Sequence, residues 1–121
     1  MIVAKLKDLH STDAELETFR PDGPFGINVF AMVGPASEPG EESFQFTVCT
    51  PEWFAQNMKG DFMLGSHFLF VREYDYDALK EFVSGCCRKC MGATWREVAQ
   101  KLSWFGHWEF ENYMPYSGSD R

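Results

Sequence analysis

Cys87-Arg88-Lys89-Cys90 is the grouping whose residue types and spacing most suggest chemistry: two thiols about one helical turn apart, with two cations between them. Nearby cations lower a thiol pKa, and the thiolate is the species that attacks disulfides or binds metal. The position argues against redox work. Leu79, Phe82, Val83, Cys86, Cys87 and Cys90 recur at i, i+3, i+4, i+7, i+8 and i+11, the pattern of one apolar helix stripe. The pair therefore falls near a helix C-terminus, where the dipole opposes a thiolate, and the cysteines read as small core residues. Structural zinc would suit the Cys87/Cys90 spacing, but no second Cys or His pair completes four ligands, and Cys49 with His67 or another histidine would have to come from a distance. Three crowded cysteines among four do not make a disulfide framework, so reduced thiols are expected.

The other reactive types are scattered. His10, His67 and His107 are isolated, and no serine has a G-x-S-x-G setting, so no nucleophile is paired with a base. Glu109 and Glu111 share a face of an expected strand, where solvation or a partner contact is commoner than acid/base work. Gly23, Gly26 and Gly34 are spaced as turns, without the lysine and helix of a phosphate loop. No catalytic residue, cofactor or metal is assigned.

Charge is more informative. Lys and Arg number 11 against 18 Asp and Glu, a net charge of −7, the wrong sign for neutralising phosphates but a match for a basic protein surface. Residues 21–58 hold Asp22, Glu38, Glu41, Glu42 and Glu52 with no Lys or Arg, so this stretch carries most of the imbalance. It is either a solvated acidic hairpin that keeps the protein soluble or a surface for a cationic partner. No run approaches the roughly 18 apolar residues of a membrane span, and the start MIVAKLKDLH lacks a signal peptide's apolar core and cleavage site, so the cytoplasm is the expected compartment.

The elements that must position these groups alternate between periods of 2 and about 3.6, which predicts a single α+β domain, mainly an antiparallel sheet packed against two or three helices. Its span is 1–114, with 115–121 a short polar tail. An opening strand over Ile2 to Leu9 carries Ile2, Ala4 and Leu6 on one face. Ile27 to Val33 is apolar on both faces, as in a central strand. After the Gly34 to Glu42 hairpin loop, Phe44, Phe46 and Val48 alternate with Ser43, Gln45 and Thr47 in a half-buried strand. Thr50-Pro51-Glu52 opens a helix ending near Gly60. A strand follows over His67 to Glu73, and Asp75 caps the helix with the cysteine stripe, stopped by Gly92. Thr94-Trp95-Arg96-Glu97 is a capping box for a helix burying Trp95, Val98, Ala99 and Leu102. A last strand is expected over His107 to Tyr113, with Trp108 and Phe110 on one side and Glu109 and Glu111 on the other. Twelve Phe fill a core or leave a patch for a dimer, so the oligomeric state stays open between monomer and homodimer.

The run Glu42-Ser43-Phe44-Gln45-Phe46-Thr47-Val48-Cys49-Thr50-Pro51-Glu52-Trp53-Phe54 resembles the central signature of bacterial immunity protein family 8, from polymorphic toxin systems. Thr94-Trp95-Arg96-Glu97-Val98-Ala99 and Trp108-Glu109-Phe110-Glu111-Asn112-Tyr113 resemble the family's closing helix and strand, and Leu69 to Asp75 is similar in style between them. The resemblance implies a cytoplasmic, non-enzymatic antidote that binds and blocks a cognate toxin domain, and the acidic charge is compatible with one that has a basic cleft. It hands over no catalytic residue, and its motif residues Phe44, Phe46, Trp95, Trp108 and Phe110 read physically as core. The toxin contact is expected at the acidic hairpin, through Glu38, Glu41 and Glu42, and next on the outward face of Glu109 and Glu111. Two rival readings stand beside it: an acidic interaction module with an unrelated partner, and a small thiol or zinc protein using the cysteine cluster.

Overall fold

A computed structural model describes residues 1–111. Its elements run β1 (Ile2–His10), β2 (Gly26–Pro35), β3 (Glu42–Cys49), α1 (Pro51–Asn57), β4 (Phe68–Phe70), α2 (Tyr76–Arg88), β5 (Met91–Gly92), α3 (Trp95–Leu102) and β6 (His107–Trp108). The sheet order is β4-β3-β2-β1-β5, with β6 paired to β3 beside β4. All pairings are antiparallel except β3 with β4. The α+β class expected from the periodicity holds, and the sheet is covered by helices on one face.

Strict alternation sets β3: Phe44, Phe46 and Val48 are buried and Ser43, Gln45 and Thr47 half-buried. β2 lies between β1 and β3 as expected, but it is not buried on both sides. Ile27, Val29, Ala31 and Val33 enter the core, whereas Phe30 and Met32 are only half-buried and Asn28 is exposed. Among the described residues no helix covers that second face, and Phe30 is shielded there by the ring of His10, stacked 5.4 Å away. The opening strand also departs from strict alternation. A register shift between Leu6 and Asp8 reverses its parity, so Leu9 rather than Asp8 turns inward, opposite Ala31.

Side-chain caps start all three helices. Thr50 Oγ1 accepts from the Trp53 N–H, Asp75 Oδ1 from Ala78 and Thr94 Oγ1 from Glu97. The far ends fall earlier than the sequence predicts. α1 stops at Asn57, short of Gly60. α2 stops at Arg88, so Cys90 lies beyond it and Gly92 joins a strand instead of ending the helix. Leu79, Val83 and Cys87 form the buried stripe, while Cys86 is half-buried and Phe82 is 56% exposed. Trp95, too, is half-buried rather than buried.

Two strands are shorter than expected. β4 spans only Phe68–Phe70, and β6 only His107–Trp108, because the chain turns at Phe110 where the Glu111 N–H donates to the Trp108 carbonyl. Glu109 and Glu111 thus sit on a turn and not on a strand face. Asn112, Tyr113 and the polar tail 115–121 lie outside the described residues.

Candidate protein-interaction site

Glu42 stands at the start of β3, where the register with Val33 brings the hairpin back to the sheet. Its carboxylate Oε1 accepts from Trp95 Nε1–H at 2.7 Å and from Trp108 Nε1–H at 2.9 Å. An indole N–H taken out of water needs an acceptor, and one carboxylate oxygen serves two of them. Next to it the Ser43 N–H donates to Glu109 Oε1 at 2.7 Å and the Glu109 N–H donates back to the Ser43 carbonyl. The rings of Phe44 and Trp108 stack 6.5 Å apart at 9°. Three sequence-distant segments, around Glu42, Trp95 and Trp108, therefore close into one junction, and Glu42 and Glu109 are its polar fasteners.

The hairpin beyond this junction is held from a distance. Lys7 Nζ donates to the carbonyls of Glu38 and Gly40. Gly40 has φ of +105°, and Gly34 leaves no room for a side chain, since a methyl there would overlap the Gly40 carbonyl. A loop that lacks cations in sequence thus has one beside it in space. Glu38 and Glu41 remain exposed. Glu111 is half-buried, with Oε2 3.6 Å from His107 Nδ1. Of the five carboxylates expected to meet a partner, Glu42 and Glu109 are engaged within the fold, Glu111 faces a histidine, and Glu38 and Glu41 point to solvent.

The cysteine cluster does not make a reactive site. Cys49, Cys86, Cys87 and Cys90 are all free thiols. Burial pushes each of them up, Cys87 to about 12, so the neutral form dominates near pH 7. Among the described residues no three His, Cys, Asp or Glu side chains converge as metal ligands. The fold does bring His67 and His107 together, with rings 6.1 Å apart, and His67 Nε2–H donates to the Ser103 carbonyl at 2.8 Å.

Another set of residues escaped the sequence reading. Phe62 is 94% exposed and Leu64 91%, on the loop between α1 and β4, with Met63 between them. Phe70, Phe82 and Trp104 are also exposed. A hollow of about 460 Å³ lies between α2 and the turn after α3, lined by Gly65, His67, Phe82, Cys86, Trp104 and Phe105 among others. A second, of about 310 Å³, lies between β4 and α2 and shares Phe82 and Leu69 with the first. The sequence signal was present in Phe62-Met63-Leu64, bulky apolar residues between Gly60 and Gly65 where a loop is ordinarily polar.

The described residues thus form a small α+β domain with buried or half-buried free thiols and a group of exposed large apolar side chains. The family model for immunity protein 8 matches residues 4–113, and the chain belongs to that family. No curated protein and no solved structure matches it. Among the described residues no helix is long and apolar enough to cross a membrane.

Proposed function

We propose that this chain is a non-enzymatic inhibitor that binds the toxin domain encoded beside it and blocks that domain in the cytoplasm of the producing cell. The family match over residues 4–113 carries the reading. Two features support it. The net charge of −7 favours capture of a basic partner, such as a toxin with a cationic substrate cleft, because opposite fields raise the encounter rate. The exposed Glu38 and Glu41 stand at the tip of a hairpin whose base is fastened by Glu42 and Glu109, so the charge is presented from a rigid mount. In this account Glu38 and Glu41 steer, Glu42 and Glu109 hold the mount, and Glu111 lies at its margin.

Co-expression provides the test. Cells producing the toxin C-terminal domain encoded immediately upstream should survive when this chain is present, and the two purified proteins should form a stable complex. Survival without complex formation, or turnover of the toxin by this chain, would overturn direct inhibition by binding.

A further inference from the structure

We infer that the toxin domain docks on the apolar strip formed by the 62–64 loop, Phe70, Phe82 and Trp104, and that it inserts an apolar side chain into the hollow between α2 and the turn after α3. The inference rests on the immunity reading and adds the surface through which it operates. All the exposed large hydrophobics among the described residues except Met1 and Met91 belong to this strip. Single exposed apolar residues are ordinary, whereas a contiguous set marks a contact surface. Contiguity follows from the linings. Phe82 borders both hollows, Phe70 borders one, Trp104 and Gly65 border the other, and Gly65 is bonded to Leu64.

The larger hollow has an uncharged lining that is aromatic and aliphatic in Phe46, Phe68, Leu69, Phe82, Val83 and Phe105. Its lining contains no Asp, Glu, Lys or Arg. Its histidine donates Nε2–H to the Ser103 carbonyl and the Ser103 hydroxyl donates to the Ala99 carbonyl, so these two donors are already paired within the fold. His67 holds a left-handed φ of +62°, and its own carbonyl accepts from the Thr47 N–H. The rim is therefore fixed to the sheet, while the loop that leads into it is exposed at every position from Lys59 to Ser66.

Charge disfavours a second copy of this chain, which would bring another −7, and favours a cationic partner such as the basic toxin domain of the proposed function. The strip and the acidic hairpin are both attached to β3, β4 pairing with its end and the hairpin leading into its start, with β6 between. Acidic groups that steer and apolar groups that hold thus share one strand as their support. Bulky side chains at a desolvated centre dominate binding energy, and rim charges mainly set the association rate.

The experiment measures dissociation constants and rates for the upstream-encoded toxin domain with wild type, Phe62→Ser/Leu64→Ser and Trp104→Ser, alongside the melting temperature and molar mass of each. The loop pair is nearly fully exposed, so its melting temperature should equal wild type. Each variant should bind roughly thirty-fold or more weakly, mostly through faster dissociation. Wild-type binding with both variants unimpaired would overturn this surface and leave the immunity reading intact. Absence of wild-type binding would remove both. A wild-type dimer that the loop pair converts to monomer would assign the strip to self-association and overturn the proposal.

Discussion

The hairpin end and the apolar strip are built on opposite logic. At the hairpin end, carboxylates that look available in sequence are spent on the fold: Glu42 on two indoles and Glu109 on the edge of β3. Along the strip, residues that look like core material in sequence, Phe82 above all, are exposed. A conspicuous charge is thus a weak guide to a contact surface when aromatic N–H groups need acceptors, and an apolar stripe is a weak guide to burial at its margin, where Phe82 faces out beside the buried Val83.

Mutations separate the two regions by what they disturb. Trp108→Ala, which removes a 4%-exposed indole and one of the Glu42 bonds, should cost about 3–5 kcal/mol in denaturant unfolding. A loss near zero would break the claim that this junction is structural. Glu42→Ala should cost about 1–3 kcal/mol, because two indole N–H groups lose their acceptor, and Glu42→Gln should recover part of that loss. If Glu42→Ala instead leaves stability intact and weakens toxin binding, the carboxylate belongs to the interface.

Alkaline titration sharpens the comparison on α2, whose buried stripe ends in Cys87 while Phe82 faces out. Burial raises Cys87 from 9.0 to about 12 and, with the neighbouring Tyr76, raises Tyr74 from 10.0 to about 12. Both groups are neutral when protonated, so the unfolded chain releases its protons first. Their contribution to stability is complete below about pH 9 and is lost between there and about 12, and Cys87→Ala should flatten the early part of that decline in pH-dependent unfolding. The smallest effect on stability belongs to Glu38→Lys/Glu41→Lys. Its melting temperature should match wild type, while stopped-flow association with the toxin slows at low salt and recovers as ionic strength passes roughly 0.1 M.

Local chemistry was legible in the sequence and distant chemistry was not. The caps at Thr50, Asp75 and Thr94 depend on residues three positions away, and the sequence places them correctly. The alternation of β3 is likewise local. The bulge that turns Leu9 inward depends on its pairing with β2, which no period within β1 announces. Leu16, set between Glu15 and Glu17 in a stretch without apolar periodicity, is buried, and its carbonyl accepts from the Tyr74 hydroxyl, a contact across 58 residues. Lys7 under the hairpin and Glu42 under the two tryptophans belong to the same class. The acidic character of the hairpin was visible, but which of its carboxylates were already engaged was a tertiary fact. The family resemblance covers the residues that meet at the Glu42 junction, so its motifs include the residues that fasten the fold there.

Amide hydrogen exchange of the free chain and of its complex with the upstream-encoded toxin domain tests the division between fold and contact most directly. The account predicts new protection over residues 59–70 and around Phe82 and Trp104, with little change in the core of β2 and β3, already slow in the free protein. Protection confined to the open sheet face around Phe30 and Met32, with the 59–70 segment exchanging as fast in the complex as alone, would contradict it.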